Sequence, residues 1–116
     1  MLHIDENMNI SITRGDTAEF IVDIYDEEGN PYTLDPATEK IVFTVKRLYT
    51  QTPALIQKES NTNNFYLISS DTDNLSFGSY KYDIVLISES LGVDTFIYEK
   101  DFNICEEVHN LEEVTV

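Results

Sequence analysis

The sequence contains no tryptophan, one cysteine, three prolines and four glycines in 116 residues, and only 7 basic residues against 22 acidic ones. Each scarcity excludes something. A single thiol, Cys105, permits no intrachain disulfide, which fits assembly in a reducing cytoplasm. So few glycines and prolines exclude collagen-like and low-complexity chains, and leave turn-making to Asp, Asn, Ser and Thr, whose side chains bond their own backbone. A formal net charge of -15 repels phosphate, so nucleic-acid binding is not expected. No run of 18 apolar residues occurs, and residues 1–7 carry neither a basic nor an apolar leader segment. Neither membrane insertion nor secretion is therefore expected.

What is present suits one globular domain. Hydrophobic residues make up 41% and charged residues 25%, and a chain of this length buries roughly two-thirds of its unfolded surface on folding. A period of two dominates. Ala18, Phe20, Val22 and Ile24 alternate with Glu19, Ile21, Asp23 and Tyr25, as in a strand with one face in a core. Ile10 and Ile12 begin the pattern, with Arg14-Gly15-Asp16 as a turn, and residues 26–31 close the second strand. Residues 32–34 are a short edge-strand candidate, ended by Asp35-Pro36. Residues 40–49 set Ile41, Phe43 and Val45 on one face of a central strand. Residues 55–58 form a further short segment, and the polar run 59–64 is expected to be a loop before Phe65-Tyr66-Leu67-Ile68.

Residues 69–75 are rich in capping and turn types, predicting an irregular or 3₁₀ turn that crosses between sheets, with Leu75 plugging the core beneath it. Residues 79–88 then place Tyr80, Tyr82, Ile84 and Leu86 opposite Lys81, Asp83, Val85 and Ile87. In the last strand Phe96, Tyr98, Phe102 and Ile104 are the expected apolar anchors. Seven or eight short strands with turn signals about every ten residues predict an all-β, immunoglobulin-like antiparallel β-sandwich with Greek-key links; a small closed barrel is the alternative. Residues 1–105 form the expected sandwich domain, and 106–116 an acidic tail or a final edge strand. Tyr80 and Tyr82 have the spacing of an immunoglobulin tyrosine corner, or are simply two core-facing rings on one strand.

Chemistry-bearing patterns are sparse. Arg14-Gly15-Asp16 spells an adhesion tripeptide, but a turn already accounts for it. Cys105 and His109 are the one thiol and imidazole close in sequence, with no protease signature around them, and a zinc site would have to join them to His3 from the other end of the chain. Asp26, Glu27, Glu28 and Asn30, and separately Asp71 and Asp73, are oxygen-rich loops that suit calcium or are solvated turns; neither matches the twelve-residue calcium signature. Phosphate-binding glycine loops, Gly-x-Ser-x-Gly and His-Glu-x-x-His are absent. The expectation is no catalytic residue, no cofactor, no metal and no enzyme activity.

Residues 10–20, Ile10-Ser11-Ile12-Thr13-Arg14-Gly15-Asp16-Thr17-Ala18-Glu19-Phe20, together with Ile41-Val42-Phe43-Thr44-Val45-Lys46, resemble the phage upper-baseplate protein N-terminal domain family. Leu55-Ile56-Gln57-Lys58, Ser70-Asp71-Thr72 and Gly78-Ser79-Tyr80-Lys81-Tyr82-Asp83-Ile84 continue the likeness, which covers about residues 9–104. The resemblance implies an immunoglobulin-like, non-enzymatic structural component of a phage or prophage tail or baseplate. It would be assembled in the bacterial cytoplasm and located in the virion. Its implied partners are other tail or baseplate proteins or further copies of itself, with no nucleic acid and no membrane. Many relatives continue into helical or receptor-binding regions, so the chain is either a small stand-alone protein or a piece of a longer one. Lys46, Arg47 and Lys58 flank strands and could orient docking. The alternative function is carbohydrate or host-surface recognition, with Tyr25, Tyr32, Tyr49, Tyr66 and Tyr98 as stacking faces.

Overall fold

The computed structural model describes residues 2–48 and 53–108. Among the described residues the chain is all-β apart from one helical turn. In order it forms β1 His3–Ile4, β2 Ile10–Thr13, β3 Ala18–Ile21, β4 Glu39–Lys46, β5 Ile56–Ser60, β6 Asn64–Leu67, α1 Ser69–Thr72, β7 Gly78–Ser88 and β8 Gly92–Cys105. Six strands make one sheet in the order β1-β2-β8-β7-β4-β5, and β3 and β6 make a second, two-stranded sheet.

Alternation decides which face is buried. Ile41, Phe43 and Val45 of β4, and Tyr80, Tyr82 and Ile84 of β7, all lie in the core. So do Phe102 and Ile104 of β8, and Phe20 and Phe65 of the small sheet. Phe43 joins the sheets: its ring centroid lies 5.4 Å from Phe20 and 5.7 Å from Phe65 on one side, and 5.3 Å from Tyr82 and 5.9 Å from Phe102 within its own sheet. These separations are those of favourable edge and tilted aromatic pairs.

Several expectations need correcting. The large sheet is mixed rather than antiparallel, because β2 runs parallel to β8, pairing Ile10 with Phe102 and Ile12 with Ile104. Residues 14–16 do turn the chain, with the Asp16 N–H donating to the Thr13 carbonyl, but β2 and β3 enter different sheets instead of pairing. Residues 32–34 form no strand; after the Tyr25–Pro31 bridge only Tyr32 N–H reaches back, to Ile24, and Pro36 cannot donate. Glu59 and Ser60 extend β5 and Asn64 opens β6, so the loop expected over 59–64 shrinks to three residues. The crossing after β6 is a turn of α-helix, in which the Asp71 carboxylate accepts the Ile68 N–H at 2.8 Å. Thr72, fully buried, is the plug there, and Leu75 is only partly buried.

Tyr98 is no core anchor: the residue is 68% exposed. The cause is local. Between the pairs Tyr82–Lys100 and Ile84–Ile97, β8 has one residue more than β7, and another is inserted before Val85–Thr95. The first bulge shifts the phase of β8 by one residue and the second restores it, and Glu99 takes the left-handed conformation (φ 55) at the first. The tail, from 109 on, lies outside the described residues.

Candidate docking face

The residues singled out for chemistry are used mainly to hold the fold together. Arg14 donates from Nε and Nη2 to the Glu107 carboxylate at 3.0 and 2.8 Å and lies 4.2 Å over the Phe77 ring. The Gly15 N–H donates to Thr72 Oγ1 at 2.8 Å. The adhesion tripeptide is thus a clamp between the first turn, α1 and the end of β8. The Asp26 side chain accepts the N–H groups of Glu28 and Asn30, capping its own turn, while Asp71 is held by Ile68 and by Lys58 Nζ at 2.9 Å. Cys105 is exposed at the end of β8, His3 lies on β1, and His109 is outside the described residues. Among the described residues no group of three or more His, Cys, Asp or Glu side chains is placed to hold a metal ion.

Of the three cations named for docking, Lys58 is bound to Asp71, and Arg47 lies 4.8 Å over the Tyr80 ring while donating to its hydroxyl at 3.2 Å. Lys46 alone faces the outer surface of the large sheet, beside Asp83. The tyrosines do not converge. Tyr25 is exposed on the 26–31 hairpin, Tyr66 on the small sheet and Tyr98 on the large one; Tyr49 lies outside the described residues. The Tyr32 hydroxyl donates to Glu39, whose carboxylate also accepts the Asp35 N–H. That bond, before burial, raises the Tyr32 pKa.

A surface not singled out in the sequence is the outer face of β4, β7 and β8. An open groove of about 830 Å³ runs along it. Cross-strand register orders the side chains in rows, since partners in a pair point to the same side. Lys40, Ile87 and Val93 form one row, and Val42, Val85 and Thr95 the next. Thr44 and Asp83 follow, level with Tyr98 and Glu99 in the bulge, and the last row is Lys46, Lys81 and Asp101. Val93 is 70% exposed, whereas Val42 is only 7% exposed. Burial raises the Asp83 carboxyl above its ordinary value, with Lys46 pulling it back. The Lys81 ammonium is held protonated above its ordinary range by its bond to Asp101.

A sheet face in contact with water alone is polar, and this one is apolar over half its length. The signal was available in the sequence: Ile84-Val85-Leu86-Ile87 is apolar in both phases of one strand, the mark of a strand covered on both sides. Among the described residues no helix is long and apolar enough to cross a membrane. Comparison with family models, curated proteins and solved structures gave no match.

Proposed function

We propose that this chain is a non-enzymatic docking module of a phage or prophage tail or baseplate, working in the virion and contacting neighbouring proteins through the outer face of β4, β7 and β8. The observation that carries the docking reading is the apolar groove on that face, ringed by charges of both signs. Specific protein interfaces have this make-up, an apolar centre within a polar rim.

The tail or baseplate assignment rests on the residues that resemble the upper-baseplate domain family, and the strand order supports the immunoglobulin-like reading that goes with it. The order β5-β4-β7-β8 with β3-β6 opposite is that of strands C′CFG and BE in variable-type immunoglobulin domains. Tyr80, at the start of β7, donates its hydroxyl to the Ser76 carbonyl at 2.7 Å, the contact of a tyrosine corner, and Tyr82 lies in the core two residues on. Both readings of the tyrosine pair thus describe one arrangement.

Immunogold electron microscopy of phage particles induced from the source bacterium tests the assignment. Label fixed at the tail tip is expected. Intact particles without label, in a lysate where the antibody detects the free chain, refute it. A second reading, carbohydrate binding, is favoured by the exposed Tyr98, level with Asp83 in the groove. A glycan array without a signal that Tyr98→Ala removes disposes of it.

A further inference from the structure

We infer that the partner on this face is a second copy of the same chain, packed sheet to sheet about a two-fold axis that runs parallel to the strands between β7 and β8. The inference rests on the docking reading above and names its occupant. The reason lies in the rows. About such an axis each β7 residue meets the β8 residue of its own row in the other copy, so pairs that are complementary within one chain are complementary across the contact.

Lys81 is salt-bridged to Asp101 within the chain, and across the axis it meets Asp101 of the second copy. Ile87 and Val93, neighbours in the ladder, would cover each other's exposed surface in the same way. At the bulge, Asp83 stands level with Tyr98, and the Tyr98 hydroxyl of one copy can donate to the Asp83 carboxylate of the other. An axis over β4 and β7 would instead set Lys46 against Lys81, two like charges, and is disfavoured.

Charge selects the same face. With a net charge of -15, two copies repel over most of their surfaces. This face holds Lys40, Lys46 and Lys81 together with Asp83, Glu99 and Asp101, so it is close to neutral. The dimer should therefore tighten as salt rises, because salt screens the repulsion elsewhere while the apolar rows are unaffected. A contact with a basic partner would weaken instead.

Sedimentation of the full chain from about 1 to 200 µM, at low and high salt, reads the equilibrium by mass action. We expect a monomer–dimer equilibrium that salt strengthens, and that Ile87→Glu weakens by about tenfold or more, with circular dichroism and melting confirming that the variant folds. Lys81→Asp and Asp101→Lys should each weaken the dimer, and the double exchange should restore it. A chain that stays monomeric throughout, or a dimer indifferent to Ile87→Glu and to both charge reversals, overturns the inference. The two proposals fail separately. A monomer that Ile87→Glu prevents from joining the particle refutes the second copy and keeps the docking reading. An Ile87-dependent dimer with no label on any particle keeps the second copy and refutes the virion role.

Discussion

Phe43 offers the sharpest test of how the two sheets are joined. It is fully buried, and its ring meets Phe20 and Phe65 from the small sheet and Tyr82 and Phe102 from its own. Truncating a buried phenylalanine to alanine costs about 3 to 5 kcal/mol, from lost transfer free energy and the cavity left behind. With aromatic neighbours on both sides, Phe43→Ala belongs at the top of that range, about 4 to 5 kcal/mol. A domain of this size is stable by about 5 to 15 kcal/mol, so the variant should be marginal. Taking a urea dependence of about 1.3 kcal/mol per molar, its midpoint should fall by about 3 to 4 M.

Milder changes isolate the contact between sheets. In a double-mutant cycle of Phe43→Leu and Phe65→Leu, followed by urea unfolding, the coupling should be about 0.5 to 1.5 kcal/mol, the value of an aromatic pair beyond its buried area. If β3 and β6 did not pack on the large sheet, Phe43 would keep Tyr82 and Phe102 but lose Phe65, and the coupling would vanish. A coupling near zero, with both single variants folded, refutes the arrangement. Tyr98→Ala, on the exposed outer face, should change stability by less than about 0.5 kcal/mol and serves as the control.

Tyr80→Phe removes the donor to the Ser76 carbonyl and the acceptor for Arg47, and should lower stability by about 1 to 2 kcal/mol in urea unfolding, with the fold retained. The Tyr82 phenol, pushed up to about 12 mainly by burial, ionises less readily folded than unfolded, so its contribution is complete below pH 10 and is lost as the pH rises from there towards 12. Tyr82→Phe should flatten that alkaline loss, while at neutral pH it forfeits about 1 kcal/mol through the lost bond to the Met8 carbonyl. Asp83, raised by burial, has the same sign in the acid range: the folded state disfavours its charge, so its penalty grows as the pH climbs through the carboxylate range. Asp83→Asn should accordingly stabilise the monomer at neutral pH and show no advantage in acid, as thermal melts across that range will show.

The elements legible in the sequence were those in which one chemical signal fixed one face. Ala18, Phe20, Val22 and Ile24, the run Ile41, Phe43 and Val45, and Tyr80, Tyr82 and Ile84 all read as strands because a period of two has one physical meaning when a single face is buried. The structure buries these residues, leaving only Ala18 partly exposed, although the strand expected over 18–25 ends at Ile21 and Val22 and Ile24 lie beyond it. What escaped needed knowledge of a partner strand. Parallel pairing of Ile10–Thr13 with residues 102–105 joins the two ends of the chain, and neither segment states which neighbour it will have. The bulges of β8 escaped because the left-handed position is held by Glu99 rather than by the Gly or Asn that would have announced it. That displaced Tyr98 from its expected place in the core. The run 84–87 marks a strand covered on both sides, but which residues share its outer face emerges only when register places Ile87 beside Val93 and Lys81 beside Asp101.

The scarcity of positive charge explains why that face stands apart. Arg14 closes on Glu107, Lys40 on Glu59, Lys58 on Asp71 and Lys81 on Asp101, while Arg47 lies over Tyr80. Each of these contacts joins segments that are distant in sequence: the first turn to the end of β8, β4 to β5, β5 to α1, β7 to β8, and the end of β4 to β7. Cations used in this way leave the rest of the surface to the acids, and like-charged surfaces resist random association. Lys58 and Glu59 also place charge along β5, an edge that would otherwise invite another strand. Repulsion over most of the molecule, with one nearly neutral apolar face, restricts association to that face. Specificity here requires no tight pocket, because the acidic remainder of the surface opposes every other contact between copies.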